Sequence, residues 1–598
     1  MALQTIDWLF ILGFFVIYLI IGVVVARQAG KDSAEFFLSG RNMPWWLLGV
    51  SMVATTFSTD TPNLVTDIVR QNGVAGNWTW WVFLLTGMLT VFVYARLWRR
   101  SGILTDLEFY ELRYSGRPAA FLRGFRAIYL GVFFNIMIMA TVCLAIIKIG
   151  GVMLNLSPAQ TLFWASLITV AYSTLGGLRG VLITDFFQFI VAMIGAVGAA
   201  VVAVSLPEVG GLSGLLAHEA VQTKLNILPD FSNRDAVITL LVLPFAVQWW
   251  SVWYPGAEPG GGGYIAQRML SAKNEKHAMG ATLFFNAAHY ALRPWPWILV
   301  ALASLVVFPD LDALQKAFPH IDPGVLHHDL AYPAMLTFLP AGLLGLVLAS
   351  LVAAFMSTIS THLNWGSSYI VNDFYTRFLH PEADEKTRVA VGRIATVLLM
   401  LVAGVLAGFL NNALQAFTIL LQIGAGTGLL FILRWFWWRI NAWSEITAMV
   451  VSFVLALYFQ LVHKQVLGYP ELSASTQLLL GVLLTTAAWV AATLLTPPAE
   501  EETLFAFYRL VQPGGPGWRQ VLERAEQAGE TVSSEREGWD VPVGILCMVL
   551  GTFAIYAALF AAGSWIYGRT TMAMSLSLIA VIATALLWRS SRRLLIRG

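Results

Sequence analysis

The sequence predicts an all-helical membrane protein, and both its composition and its hydropathy pattern indicate this fold class. Hydrophobic residues make up 58% of the 598 residues and charged residues only 12%, whereas a soluble chain carries about 25% charged residues. Apolar runs of about 20 residues, the length that crosses a bilayer as a helix, recur along almost the whole chain. We expect these runs to be helices, because backbone in lipid must satisfy its own hydrogen bonds.

About fifteen such runs can be distinguished. The first is interpreted as a retained span and not as a signal peptide, because it has no basic region before it and is too long. The run at 333–372 is long enough for a tilted helix with an extension beyond the membrane. The spans are predicted at residues 6–27, 45–69, 77–98, 120–150, 157–176, 180–205, 235–258, 278–308, 333–372, 388–410, 412–436, 442–463, 474–495, 540–564 and 571–589.

Basic residues are distributed unevenly between alternate loops, which predicts the orientation. Arginine and lysine concentrate in cytoplasmic loops. The pattern therefore predicts a multi-pass protein of the inner (plasma) membrane, with its N-terminus outside and its C-terminus in the cytoplasm. The basic residues that indicate the cytoplasmic side are Arg96, Arg99, Arg100, Arg113, Arg117, Arg123, Arg126, Arg268, Lys273, Lys276, Arg434, Arg439, Arg589, Arg592 and Arg593.

Composition and motifs exclude several functional classes. The net charge of +2 gives no basis for nucleic-acid binding. The two cysteines, Cys143 and Cys547, lie in apolar runs and predict no disulfide framework or metal site. No HExxH, GxSxG or paired-cysteine motif is present, so we expect no enzyme activity. The lipid bilayer is the expected surrounding of the chain.

Two connecting loops have distinctive sequences. Residues 497–539 combine an acidic stretch with aromatic residues, and they form either an interfacial helix or a solvated linker. The loop 309–332 contains several histidines and aspartates. These side chains suit a metal, but their spacing fits no strong motif, and an ordinary solvated loop is the alternative.

Two of the predicted spans are interrupted. The second reads SMVATTFSTDTPNLV, with Pro62 and a polar cluster at its middle. The seventh reads QWWSVWYPGAEPGGGGYIAQR, with Pro255, Gly256, Pro259 and the glycines 260–263. Proline and glycine disrupt a regular helix, and interrupted spans at corresponding places in two halves indicate a transporter binding site. The alternative is a proline kink beside a loop at the membrane edge.

The ninth span carries a polar stripe. Ser357, Thr361, Asn364 and Ser368 recur at helical spacing, and Ser360 and Ser367 widen the stripe. Hydroxyls and freed carbonyls are hard oxygen ligands that suit a cation such as sodium. Helix–helix packing through small polar residues would produce the same pattern.

Ionisable residues inside two other spans are candidate functional groups. Asp185 begins the sixth span, and its alternative role is an ion pair with Arg179 at the interface. His289 and Arg293 in the eighth span are four residues apart and share a helix face. They would contact an anionic or hydroxyl-rich solute, or pair with Asp60 as a structural bridge.

Three segments resemble the sodium:solute symporter family, which includes sodium-coupled sugar, proline, pantothenate and sialic-acid carriers. They are STLGGLRGVLITDFFQF, GGYIAQRMLSAKN and AAFMSTIST, and the resemblance covers roughly residues 5–465. It implies a LeuT-type core of two inverted five-helix repeats. The implied organisation is an extra helix and loop at 1–44, a core at 45–436 with repeats at about 45–234 and 235–436, two helices at 437–496, a cytoplasmic loop at 497–539, and two helices with a basic tail at 540–598.

The resemblance also implies where sodium binds. Family members hold one ion between the first interrupted helix and the ninth span, and some hold a second ion near the cytoplasmic side. The implied ligands of the first ion are the carbonyls of Ala54, Phe57 and Ala354 and the hydroxyls of Ser357 and Thr358. The implied ligands of the second are Asp185, Ser357, Ser360 and Thr361.

Solute contacts follow from the same resemblance, and the implied solute is small and polar: a sugar, an amino acid or a carboxylate. The segment PGAEPGGGG and the absence of the lysine expected of a sugar site depart from the sugar carriers. The corresponding positions here are Thr59, Asp60, Thr61, Tyr264, His289, Tyr290, Arg293, Gln415 and Thr418.

The implied function is sodium-coupled import by alternating access, and two alternatives stay open at this stage. A proton-coupled carrier of the same fold would use His289, Asp60 or Asp185. A sensor that binds solute without moving it would need a soluble output domain, for which 497–539 is short.

Overall fold

The computed structural model of the protein describes residues 3–29, 38–173, 177–252, 258–410, 424, 426–532 and 539–596. Throughout these ranges the chain forms helices and turns, with one isolated β-bridge between Met43 and Ala272 and no strand. The all-helical prediction is confirmed for this part of the chain.

Nineteen helical segments are used below and are labelled in chain order. They are α1 Thr5–Ala29, α2 Trp45–Thr55, α3 Asp60–Asn72, α4 Val74–Ser101, α5 Gly116–Leu154, α6 Pro158–Ser173, α7 Gly177–Ser205, α8 234–248, α9 Gly263–Ser271, α10 Glu275–Val307, α11 Leu343–Leu379, α12 Glu385–Ala407, α13 Gly428–Leu433, α14 Ala442–Leu457, α15 Ala474–Leu495, α16 Glu501–Val511, α17 Arg519–Gln527, α18 Val541–Ile566 and α19 Thr570–Ile596.

Short helices connect several of these segments. They are Ser39–Arg41, Glu108–Arg113, Gly211–Ala217, Glu219–Gln222, Leu311–Ala317, Pro323–Val325, His328–Leu330, Ala331–Leu336, Tyr458–Val462 and Pro516–Trp518.

Within the described ranges, nine helices are long and apolar enough to cross a membrane, and three shorter apolar helices accompany them. The chain is therefore a multi-pass membrane protein, but the predicted count of about fifteen spans is not confirmed. One reason is that the predicted spans at 45–69 and 235–258 are each split or shortened at an interruption. Another is that most of the predicted span at 412–436 lies outside the described residues.

The predicted span at 333–372 begins too early. A short helix ends at Leu336, and a turn at Gly342 (φ +87°) precedes α11. Asp7 of α1 caps the start of α11, since its Oδ1 accepts hydrogen bonds from the backbone N–H of Gly342 at 2.7 Å and of Gly345 at 2.8 Å. The first N–H groups of a helix have no partner within the helix and carry partial positive charge, so a buried carboxylate is stabilised there.

The interrupted helix pair α2–α3 lies at the centre of the molecule. The first half, α2, packs against α7 and the start of α10, and α3 packs against the end of α10. The long helix α11 packs against α7, α5 and α1. In the most apolar window of α11, 83% of the residues are buried, against 17% in α19. The polar stripe of α11 therefore faces protein, whereas α19 presents apolar side chains outward.

The described part of the segment 497–539 is not a solvated linker. Its helix α16 packs on α4 and on the short helix Glu108–Arg113, and α17 packs on α16. The buried Trp518 donates from Nε1 to the Trp435 carbonyl at 2.9 Å, and the Arg113 guanidinium lies 4.9 Å from the centre of its ring. The aromatic residues that suggested a lipid contact cover the end of the helix bundle where Arg113, Arg126 and Arg434 lie buried, which is called the arginine-rich end below.

Candidate functional site

The first interruption lies where the sequence predicts it. Helix α2 ends at Thr55 and α3 begins at Asp60. At the end of α2 the backbone changes to a tighter turn, in which the Phe57 N–H donates at 3.0 Å to the carbonyl of Ala54, three residues earlier, instead of four residues earlier. Side chains from other helices supply donors to carbonyls freed at this end of α2. Arg293 of α10 donates to the Val53 carbonyl at 3.1 Å, and Thr358 of α11 donates to the Thr55 carbonyl at 3.3 Å.

The second interruption separates α8, which ends at Gln248, from α9, which begins at Gly263. Its Pro255 and Gly256 lie outside the described residues. Gly260 and Gly261 have φ values of +85° and +91°, which only glycine adopts readily. A Cβ at Gly261 would lie 2.5 Å from the Met269 side chain. The glycine run thus allows the chain to turn tightly into α9.

Asp106 anchors the start of α9. Its Oδ2 accepts the Gly263 N–H at 2.8 Å, and the Tyr369 hydroxyl donates to its Oδ1. Burial raises the pKa of Asp106 above the ordinary aspartate value. This carboxyl, on the loop between α4 and α5, links α9 to the end of α11.

The candidate ligands of the first ion come from two elements that are in contact. Ala54 and Phe57 flank the end of α2, and Ala354, Ser357 and Thr358 lie on α11; all five are buried. The hydrogen bond from Thr358 to the Thr55 carbonyl joins the two elements directly. The arrangement gathers carbonyl and hydroxyl oxygens, which are hard ligands, around the interruption.

The candidate ligands of the second ion form a connected cluster around Asp185, which is 0% exposed. Ser357 donates to Asp185 Oδ1 at 2.5 Å, and Ser51 of α2 donates to Oδ2 at 2.6 Å. Ser360 donates to the Ser357 carbonyl at 3.0 Å, and the Thr361 hydroxyl is buried without a hydrogen-bond partner. The structure thus joins Ser357 to Asp185 and adds Ser51, which sequence reasoning missed, while Ser360 and Thr361 make no direct contact with the carboxylate among the described residues.

The alternative role of Asp185, an ion pair with Arg179, is not supported. Across the described ranges no ion pair joins these residues, and the guanidinium that approaches the cluster belongs to Arg268 of α9. Its Nε and Nη2 each lie 3.3 Å from Ser51 Oγ, and Nη2 lies 3.3 Å from Thr55 Oγ1. Arg268 belongs to the GGYIAQRMLSAKN segment, but nothing in the local sequence indicates which acid it approaches.

Asp60 and Thr61 are the polar residues of the first interruption that are only half-buried. From Leu48 to Arg70 every residue is buried except Asp60, Thr61 and Leu64. Thr59, by contrast, is 0% exposed and donates to the Val142 carbonyl at 3.4 Å. Asp60 and Thr61 are therefore more accessible than Thr59, which contributes to packing against α5.

His289 and Arg293 contact each other instead of bridging to Asp60. Arg293 Nη2 lies 2.5 Å from His289 Nδ1, and the described chain contains no ion pair between Asp60 and either side chain. An arginine has donors only, so His289 Nδ1 accepts this bond and the imidazole is neutral. The alternative of a bridge to Asp60 is therefore not supported, and both side chains lie beside the first interruption.

Trp80 completes this part of the site and was missed by sequence reasoning. Its ring stacks on Tyr290 at 5.8 Å between centroids and meets His289 edge-on at 5.5 Å. One tryptophan among 23 in the chain gives no sequence signal of this role. Stacked aromatic rings next to polar groups are a common lining of small-molecule sites.

The remaining predicted solute contacts divide into two groups. Tyr264, at the start of α9, is 0% exposed, and its ring lies edge-on to His362 of α11 at 6.3 Å. It therefore fills the space between the second interruption and α11. Gln415 and Thr418 lie outside the described residues.

The histidines and acids of the loop 309–332 make other contacts in the structure. In the part of the chain that the structure describes, no three histidine, cysteine or acidic side chains are grouped to hold a metal. Asp329 pairs with Lys148 at 2.6 Å, and His328 accepts a hydrogen bond from Arg70 at 3.3 Å. Burial lowers the pKa of His328 below its ordinary value, so its imidazole is neutral at pH 7.

Glu258, in the second interruption, belongs to a different kind of cluster. Its carboxylate forms an ion pair with Arg126 and lies 3.7 Å from Arg434 Nη2. Arg434 in turn lies 3.4 Å from Glu445, and its guanidinium lies 4.6 Å from the centre of the Phe109 ring. Fixed cations therefore neutralise both acids at the arginine-rich end.

Comparisons with known proteins agree with this architecture. The chain is 26% identical over 463 residues to a sodium/glucose cotransporter of Vibrio parahaemolyticus, covering 74% of this chain and 82% of that protein. It is 27% identical over 482 residues to sodium/myo-inositol cotransporter 2 of Bos taurus, covering 74% and 68%.

Among solved structures, a substrate-bound, outward-open Na+-coupled sialic acid symporter matches with a TM-score of 0.62 and 20% identity, covering 83% of this chain and 99% of that one. This likeness shows that the two proteins share a fold. The model of the sodium:solute symporter family matches residues 36–452. The chain belongs to the sodium:solute symporter family, and it moves a solute with sodium as the coupling ion.

Proposed function

We propose that the protein imports a small polar organic solute together with sodium by alternating access. The observation that carries this proposal is the first interruption, where Asp60 and Thr61 are half-buried and the Thr55 carbonyl at the end of α2 accepts a hydrogen bond from Thr358 of α11. A solute and an ion bound there would share one interrupted helix, so each would influence the binding of the other. Each sodium charge that crosses the membrane contributes about 2.3 kcal/mol per 100 mV of potential.

The first sodium is assigned to Ala54, Phe57, Ala354, Ser357 and Thr358. Three carbonyls and two hydroxyls would hold the ion without a carboxylate. Such a neutral set suits a transported ion, because the ion must also leave on the inner side. Family membership supports these ligands, and so does the direct contact of α2 with α11.

A second sodium is assigned to Asp185, Ser357, Ser360 and Thr361. Ser357 belongs to both sets, so the two ions would be coupled through one side chain. The buried carboxylate is surrounded by hydroxyls and has no ion pair within the described residues. A cation would therefore compensate its charge.

The solute pocket is assigned to Asp60, Thr61, Tyr264, His289 and Arg293, with Trp80 and Tyr290 as an aromatic wall. The relatives carry glucose or myo-inositol according to their names. We propose a polyhydroxylated or anionic solute here, because the guanidinium of Arg293 and the aromatic stack suit hydroxyl or carboxylate groups against an apolar ring face. Thr59, Gln415 and Thr418 stay family-based candidates.

Proton coupling is the alternative. His289 is a poor candidate for the proton site, because its Nδ1 accepts a bond from Arg293 and a proton there would oppose the guanidinium. Asp60 and Asp185 are the remaining groups that a proton-coupled carrier would use. The sensor alternative has less support, because α16 and α17 pack on the bundle and form no separate output domain.

The orientation and the internal symmetry are also proposals. We assign the arginine-rich end to the cytoplasm, with the N-terminus outside, in the inner (plasma) membrane. Residues 45–234 and 235–436 are proposed to be inverted repeats, since each begins with an interrupted helix. Reporter fusions in the loops at 102–115 and 309–332 should give cytoplasmic and external signals respectively, and reversed signals would contradict this assignment.

A ligand screen tests the proposed function. The purified protein in detergent is heated with sodium, potassium or choline in the presence of sugars, polyols, amino acids or carboxylates. A ligand that binds only the folded state raises the unfolding temperature. We expect one solute class to stabilise the protein only with sodium, and Ser357→Ala to lose this response. Ser575→Ala, which removes an exposed hydroxyl of α19, is the matched control. Stabilisation by low pH without any response to sodium would favour proton coupling.

A further inference from the structure

We propose that Arg268 is a positioning residue that competes with sodium for Asp185. It neutralises the carboxylate when the second ion is absent, and it keeps the affinity for that ion low enough for release. This inference rests on the proposed second sodium site and adds to it a residue that no comparison assigns.

Arg268 is buried in an unusual environment. The side chain is 0% exposed, yet no carboxylate oxygen of the described residues lies within ion-pair distance of 4 Å. Its donors meet neutral acceptors, with Ser51 and Thr55 at 3.3 Å and the Tyr264 carbonyl at 3.4 Å. A buried charge without an ionic partner is costly, so a residue of this kind needs a nearby compensating charge.

Ser51 connects Arg268 to that compensating charge. Its hydroxyl donates to Asp185 Oδ2 at 2.6 Å and accepts from Arg268 at 3.3 Å. Asp185 and Arg268 are thus separated by one hydroxyl group, with opposite charges in a region from which water is excluded. Electrostatic interaction across such a distance is strong in a medium of low dielectric constant.

A sodium ion at Asp185 would therefore enter a site that already has a neighbouring cation. The ion and the guanidinium would repel each other, while each is attracted to the same carboxylate. Arg268 thereby lowers the affinity of the site for sodium, and it also supplies the charge balance of the carrier that returns empty. A site without such an arginine would bind sodium more tightly and release it more slowly.

The helices that carry these groups suggest how the competition between Arg268 and sodium would change during transport. Ser51 and Thr55 lie on α2 and Arg268 on α9, which are halves of the two interrupted helices. Asp185 lies on α7 and Ser357 on α11. If the two half-helices separate from α7 and α11 during transport, Arg268 leaves Asp185 together with Ser51, and the balance between arginine and sodium changes in that step.

A purely structural role is the competing explanation. In that case Arg268 only joins α9 to α2, and removing it lowers stability without altering the response to sodium. The two explanations differ in one measurable quantity: the sodium concentration at which half of the sodium-dependent stabilisation is reached.

The experiment is a sodium titration of the unfolding temperature of the full-length protein in detergent, at constant ionic strength with choline. We expect Arg268→Gln to lower the half-saturating sodium concentration by about tenfold, and Arg268→Lys, which keeps the charge, to stay near wild type. In an Asp185→Asn background the Arg268→Gln change should have no further effect. An unchanged half-saturating concentration in Arg268→Gln, with a lower unfolding temperature, would overturn the proposal.

Two further results separate the possible failures. If Arg268→Gln does not fold, Ser51→Ala tests the same idea, because it removes the hydroxyl between the two charges and lets them approach. We expect Ser51→Ala to raise the half-saturating sodium concentration, and no change would overturn the proposal. If wild type itself shows no sodium-dependent stabilisation, the proposed sodium sites fail, which is distinct from a failure of Arg268 alone.

Discussion

Two buried acids, Glu258 and Asp185, are neutralised in different ways. Glu258 is next to two arginines, Arg126 and Arg434, and is sealed by aromatic rings. Asp185 accepts hydrogen bonds from Ser51 and Ser357, and no cation is in direct contact with it in the described structure. The cations next to Glu258 are side chains of the protein itself and cannot leave. The carboxylate of Asp185, in contrast, is available to a cation that binds and dissociates.

The comparison indicates which cluster maintains the fold and which one serves transport. Removing one partner of a buried ion pair leaves an uncompensated charge, which destabilises strongly. Removing the charge of Asp185 breaks no direct ion pair, because Arg268 is separated from it by the Ser51 hydroxyl. Changes at Glu258 should therefore appear as lost stability, and changes at Asp185 as an altered response to sodium.

The largest effect is expected for Glu258→Gln. The change leaves Arg126 and Arg434 with excess positive charge in a buried place, and it should lower the free energy of unfolding by about 3–5 kcal/mol. Thermal unfolding in detergent measures this loss. The control is Glu471→Gln, because Glu471 pairs with Lys464 and 66% of its side chain is exposed. Equal unfolding temperatures for Glu258→Gln and Glu471→Gln would show that the buried cluster around Glu258 does not stabilise the fold.

For Ser357→Ala we expect a smaller loss of stability but a large change in the sodium dependence of uptake. Ser357 belongs to both proposed ion sites, so its loss should weaken binding of both ions. The half-saturating sodium concentration for uptake should rise at least tenfold, which is about 1.4 kcal/mol. Uptake into proteoliposomes at varied sodium concentration measures it. Wild-type sodium dependence in this variant would contradict the assignment of either site.

Asp185→Asn should affect only one of the two ions. The Hill coefficient for sodium should fall from above one to one. The unfolding temperature without sodium should fall less than in Glu258→Gln, because the Ser51 hydroxyl separates Asp185 from Arg268 and no direct ion pair is broken. Asp329→Asn is the matched control, since Asp329 is buried in a direct pair with Lys148 at 2.6 Å. We expect that variant to lose stability and keep its sodium cooperativity. If Asp185→Asn lost stability and kept its sodium cooperativity while Asp329→Asn did the reverse, Asp185 would be the structural acid and Asp329 the one that responds to sodium.

The smallest effect is expected for the pH dependence of His289→Gln. Because Arg293 donates to His289 Nδ1, the imidazole stays neutral and does not take up a second ring proton between pH 6 and 8, so the pH profile of sodium-driven uptake should keep its shape. The maximal rate should change only through solute binding. A profile that flattens in this variant would restore His289 as a proton site.

Much of the site could be predicted from local sequence. The interruption at Pro62 and the glycine run 260–263 are visible because proline and glycine act on the backbone where they stand. The stripe that contains Ser357 is visible because helical spacing repeats along the chain. The number of spans was less predictable, because a helix such as α11 begins where Asp7 of a distant helix caps it.

Residue types and their periodicity were sufficient to identify a helical membrane protein with two interrupted spans and a hydroxyl-lined helix, because hydropathy and backbone preference are local properties. Only the tertiary structure decided the partners of the buried charges. Arg268 approaches Asp185, although Arg179 is nearer to it in the sequence. Glu258 pairs with Arg126. The packing of the helices determines which charged side chains meet. That packing depends on contacts between residues far apart in the chain.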